Sequence, residues 1–123
     1  MFSDPPINVA EIQKQQDRII LNDAVSWTAP AHMKDRPDGP YTIALRAYQL
    51  LLAGDGVRIQ AQVQATEISG SETTIRMLFN EHTWVSESHG IHHYAAGQQS
   101  DFYFDPDRCM YFDADENLIT AQP

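Results

Sequence analysis

The sequence predicts an all-β fold, an OB-like barrel of short antiparallel strands with at most one or two short helical turns. Three observations point there. Apolar residues recur mostly with a period of two, the spacing of a strand with one buried face. Gly, Pro and Asp punctuate the chain at short intervals, the mark of tight turns. No stretch keeps the 3.6-residue apolar period of a long helix.

The elements follow in order. Residues 7–12 and 18–22 read as two strands on either side of Lys14-Gln15-Gln16-Asp17, and a short strand surrounds Trp27 at 24–28. Residues 30–40 hold three prolines and Gly39 and read as a loop. Tyr41 to Arg46 is a strand with Ile43 and Leu45 on one face. Ala47 to Leu52 makes a single helical turn, and Gly54-Asp55-Gly56 a tight one. The longest strand places Val57, Ile59, Ala61, Val63 and Ala65 on one face, with Arg58, Gln60, Gln62, Gln64 and Thr66 on the other. Ile68 falls out of phase, so a bulge is expected near Thr66-Glu67. After the turn Ser69-Gly70-Ser71-Glu72 the alternation returns at Ile75, Met77 and Phe79, which makes 57–79 a hairpin. Strands at 83–86, 100–104, 109–113 and 118–120 complete the set.

The 123 residues suit one domain, long enough to bury roughly two-thirds of its unfolded surface without metal or disulfide staples. Eight Lys+Arg against 17 Asp+Glu give a net charge of −9. So acidic a surface repels phosphate backbones and anionic lipid, which argues against nucleic-acid and membrane-surface partners. The single cysteine, Cys109, allows no internal disulfide and fits a cytoplasmic setting. No apolar run approaches the ~18 residues that span a bilayer. The first residues have neither the basic nor the apolar region of a signal peptide. Residues 1–6, with Pro5-Pro6, read as a linker, and 7–123 as the folded domain.

Catalytic patterns are missing. The only lysines are Lys14 and Lys34, and neither completes a phosphate-binding loop; no Gly-x-Ser-x-Gly elbow occurs. Cys109 lies in an apolar-aromatic run with Met110, Tyr111 and Phe112, where burial keeps a thiol inert. His82, His89, His92 and His93, near Glu81 and Glu87, are suitable zinc or nickel ligands. Their spacing matches no common structural zinc pattern, and they read as polar residues of a solvated loop. Asp105, Asp107, Asp113, Asp115 and Glu116 lack the calcium-loop spacing and read as turn formers that bond their own backbone. No catalytic, cofactor-binding or metal-binding residue is assigned. Arg46, one of few basic residues, is expected to pair with a carboxylate.

Two segments resemble a known family. Glu67-Ile68-Ser69-Gly70-Ser71-Glu72 is similar to the Glu-x-x-Gly-x-Glu turn of the C-terminal transport-associated OB (TOBE) region of ABC-importer ATPases, sugar and glycerol-phosphate type. The Asp-Pro-x-Arg turn and Phe-Asp strand end of that region are matched by Asp105, Pro106 and Arg108, then by Phe112 and Asp113, with Leu118 beyond. Tyr41 to Arg46 resembles the family strand that ends in arginine, and Asp4-Pro5-Pro6-Ile7-Asn8 the handover from the ATPase domain. Trp84-Val85 and Gly90-Ile91-His92 also fit. The chain departs at Ala47-Tyr48-Gln49, where the family continues Pro-Glu-His.

The resemblance implies a non-catalytic accessory and regulatory barrel beside an upstream ATPase domain, at the inner face of the cell membrane. It implies partners in that ATPase domain, in a second copy of the subunit and, through the ATPase, in the transporter's membrane subunits. The cargo class would be carbohydrate or a related solute, with no cofactor in this region. Two rivals stand beside it. One is a small-ligand barrel for sugar or an oxyanion, although the −9 charge disfavours the anion. The other is a metal-dependent enzyme using the histidines.

Overall fold

Strict alternation governs the first strand, β1 (Ile7–Gln15): Asn8, Ala10, Ile12 and Lys14 are buried, and the residues between them are exposed. The computed structural model describes residues 7–119. The expected linker 1–6 and the end of the strand expected at 118–120 lie outside the described residues. β2 (Arg18–Ile20) and β3 (Ser26–Thr28) follow, then a four-residue helix, α1 (Ala31–Lys34), and β4 (Gly39–Arg46). A 3-10 turn at Ala47–Gln49 leads towards β5 (Val57–Ser69), β6 (Glu72–Phe79), β7 (His82–His89) and β8 (Gln99–Phe104). A second 3-10 turn, Pro106–Arg108, precedes β9 (Met110–Phe112) and β10 (Leu118–Ile119).

These strands form two antiparallel sheets, in the orders β10-β9-β4-β1-β2-β3 and β7-β6-β5-β8. Their inner faces share one core. Ile43, Leu45 and Tyr111 come from the first sheet, and Ile59, Ile75, Met77, Trp84 and Phe102 from the second. Side chains join the sheets where backbone pairing stops. The Asn8 carboxamide donates to the Val85 carbonyl (2.8 Å) and accepts from the Val85 amide (2.7 Å), which extends the ladder from β1 to β7. Trp84 Nε1 donates to the Val9 carbonyl beside it (3.0 Å). A buried amide at Asn8 is tolerated because both its polar atoms are bonded. The fold is all-β and barrel-like, as the alternation predicts.

Three local expectations are corrected. The loop expected over 30–40 contains α1. Four residues are too few for a helix to hold itself, and this one is fixed by fully buried Met33 and by Tyr41, whose hydroxyl donates to the Pro37 carbonyl (2.6 Å). The β5 bulge falls between Val63 and Ala65, not at Thr66-Glu67. Val63 exchanges backbone bonds with Gly97 and Gln98, so the extra residue is Gln64, and Thr66 now faces Ile75. β7 is twice the length expected at 83–86. A two-residue turn, Asn80-Glu81, joins Phe79 to His82 with both residues left-handed (φ 53° and 67°). Turns of this kind prefer Gly in the second place, so Asn-Glu gives little signal in sequence.

Candidate functional site

The residues singled out in sequence fall into three places. At the first, β5 and β6 meet in a two-residue turn with Ser69 opposite Glu72. Gly70 is left-handed there (φ 62°), and no atom lies within 4 Å of the Cβ position it lacks. Ser71 is exposed; its carbonyl accepts from the Gly90 amide (2.6 Å). Cross-strand pairing sets Glu72 against His89, and Oε2 meets Nδ1 at 2.9 Å. Behind them Thr73 is fully buried. Its hydroxyl donates to the Gly90 carbonyl (2.7 Å) and accepts from the His92 amide (3.0 Å). Glu67 is exposed and stands opposite Thr74, away from the tip.

The second place is a corner between β4 and β9. The Arg46 amide donates to Gln49 Oε1 (2.8 Å), and Gln49 Nε2 donates to the Arg108 carbonyl (3.0 Å), so Gln49 ties the two arginine backbones together. Asp105 caps its 3-10 turn by accepting from the Asp107 amide (3.0 Å). The Pro106 carbonyl accepts from the Tyr111 hydroxyl (2.8 Å), and that hydroxyl also accepts from Trp27 Nε1 (3.2 Å). The carboxylate expected beside Arg46 is not found among the described residues. The ion pairs among the described residues are Lys14–Asp38, Arg58–Asp101 and Glu72–His89. None of them includes Arg46, whose backbone amide, not its guanidinium, is taken up by Gln49. Cys109 is buried behind this corner. Burial pushes its thiol up to about 12, and the Asp105 and Asp107 charges push the same way.

The third place is the outer side of the six-stranded sheet. Asp113 closes the turn after β9, accepting from the Asn117 and Asp115 amides (2.9 Å each). Above all the Asn117 amide, and then the other bonds, hold its carboxyl below the ordinary carboxylate range. Phe112 is half-buried, paired with Thr42 on one side and Leu118 on the other. Together with Glu11, Thr42 and Glu116 they border an open groove of about 520 Å³.

The four histidines do not gather at one point, although His92 Nε2 lies 3.1 Å from the His89 carbonyl, and two of them, expected in a solvated loop, belong to a strand. His82 and His89 stand at opposite ends of β7, roughly 23 Å apart at the rise of a strand. His92 and His93 lie beyond the strand. Among the described residues no three His, Cys, Asp or Glu side chains group closely enough to hold a metal ion. No helix there is long and apolar enough to cross a membrane.

No known family model matches the chain, and no curated protein matches it.

The geometry separates what the sequence had put side by side. Arg46, Asp105, Pro106 and Arg108 meet at one corner. Gly70, Ser71 and Glu72 sit at a hairpin tip, and Phe112 and Asp113 on an outer face. In most of these places the polar atoms are used in holding their own turns. Sequence reasoning passed over the outward apolar residues Ile7, Val9 and Met110. Their signal was present in β1, where apolar Ile7 and Val9 flank Asn8, but polar Asn8 and Lys14 at inner positions mask which face is inside.

Proposed function

We propose that the chain is a non-catalytic accessory and regulatory domain of an ABC-importer ATPase subunit, serving uptake of carbohydrate or a related solute. It acts by contact, with an upstream ATPase domain, with a second copy of the subunit and, through the ATPase, with the membrane subunits at the cytoplasmic face. It needs no cofactor of its own. One observation carries the reading: the Asp105 and Asp113 carboxylates and the Ser71 carbonyl are engaged in bonds that hold their own turns, which gives these motif residues an architectural role. The order of the turns along the chain, Gly70 before Asp105-Pro106 before Asp113, supports the family resemblance.

The reading frame ahead of Phe2 tests it. A nucleotide-binding domain with a phosphate-binding loop is the expected result, and a stop codon just before Met1 contradicts it. Titration of this chain with Mg-ATP should then show no saturable binding at micromolar concentration, because neither lysine completes a phosphate-binding loop.

The groove beside Phe112 supports a second reading, a sugar-binding barrel. Glu11 and Glu116 can accept from hydroxyl groups while Phe112 offers a flat apolar wall. The same carboxylates repel oxyanions. A rise in melting temperature with neutral sugars, absent with sulfate or molybdate, would favour this reading.

A further inference from the structure

The outer face of β1, β4, β9 and β10 bears an apolar strip that no described part of the chain covers. Ile7, Val9 and Leu118 are 45%, 49% and 51% exposed. Half-buried Met110 and Phe112 lie between them. The register arranges these residues in rows. Arg46 stands beside Ile7, Ala44 between Val9 and Met110, and Thr42 between Glu11 and Phe112, with Leu118 next to Phe112. Ala44, between them, is 3% exposed. Apolar surface concentrated like this on one sheet face marks a contact area.

The strip has ends of opposite charge. Arg46 stands at one end, and Glu11, Asp113 and Glu116 at the other. We infer that this face pairs with the same face of a second copy, about a two-fold axis lying along the Val9–Ala44–Met110 row. The inference rests on the dimer contacts of the proposed function and names the surface that makes them. A two-fold there reverses the strand direction and carries the row of Arg46 onto the row of Thr42. Each Arg46 then lies over Thr42 of the other copy, beside Glu11, because each row is about 6.6 Å from the axis. Val9, Ala44 and Met110 meet their own counterparts at the centre. A partner of uniform charge fits less well: a basic one opposes Arg46, and an acidic one opposes Glu11 and Asp113.

Sedimentation equilibrium of the 123-residue chain across the micromolar range tests the pairing. The wild type should dimerise. Val9→Asp should weaken dimerisation about 100-fold by placing charges against each other at the centre, and Leu118→Asp provides a second variant at the edge. Glu11→Arg should weaken it about tenfold, and adding Arg46→Glu should restore it to within about threefold of wild type. Restoration by the double swap is a result that a merely structural role would not give. Melting temperatures, taken at concentrations where the wild type is monomeric, should stay near wild type, since all four side chains face outward. A wild type that remains monomeric, or a double swap that does not recover, overturns the inference. A dimer indifferent to Val9→Asp and Leu118→Asp also overturns it, while leaving dimer contacts elsewhere, and the proposed function, standing. The upstream reading frame decides that function independently.

Discussion

The tip of the β5–β6 hairpin and the outer face of β1 and β4 both reach solvent and are built in opposite ways. At the tip the polar groups have found one another: Ser71 holds Gly90, Thr73 holds Gly90 and His92, and Glu72 meets His89. The outer face presents Ile7 and Val9, whose side chains have no covering neighbour among the described residues. The difference teaches that the polar residues most easily picked out in this sequence maintain its turns, while the surface left for another molecule is apolar. Self-bonded polar groups have little capacity for a ligand, whereas exposed apolar area lowers its free energy only when something covers it.

This contrast can be broken in graded ways. The largest effect concerns Cys109, behind the Asp105–Arg108 corner. Burial pushes its thiol from the ordinary cysteine range up to about 12 and so favours the neutral form. The stability this gives is complete below about 9 and is lost as pH rises from there towards about 12. Alkylation by iodoacetamide near pH 8 should therefore run much slower in the folded chain than in denaturant, because burial holds the thiol neutral and covers it. Equal rates would mean that the corner is open. Next, Met77→Ala empties a fully buried site behind the hairpin and should cost about 2–5 kcal/mol in denaturant melts. Asn8→Ala strips both bonds from Val85 and should cost about 1–3 kcal/mol, with faster hydrogen exchange at the Val85 amide. Gly70→Val meets no steric obstacle but forces a β-branched residue to φ 62°, for on the order of 1–3 kcal/mol. Ser71→Ala, smallest of all, should change stability by less than about 0.5 kcal/mol, since only the Ser71 carbonyl is bonded.

Much of the fold was legible, for a physical reason. Where one face of a strand is buried and the other wet, the period of two is written directly in the residues, as at Ile59, Ala61 and Val63 or Ile75, Met77 and Phe79. The parts that escaped depend on distant partners. Residues 97–98 place the bulge at Gln64, and Met33 and Tyr41 fix α1 within a stretch rich in proline. Gln49 takes up the Arg46 amide, a role that no local pattern announces. The candidate site was less legible still. Turn motifs advertise themselves by Gly, Pro and Asp, whereas a contact face is defined by which side of β1 points outward. Polar Asn8 and Lys14 at inner positions conceal that side until both are seen bonded in place, Asn8 to Val85 and Lys14 to the Gln16 carbonyl.

The two surfaces can be set against each other in one sedimentation experiment, run well below the melting transition on wild type, Gly70→Val and Val9→Asp. The account predicts a wild-type dimer, unchanged dimerisation in Gly70→Val despite its lower stability, and a monomer in Val9→Asp despite a normal melt. The reverse pattern, a dimer lost with Gly70→Val and kept with Val9→Asp, would contradict it and move the contact surface to the hairpin tip.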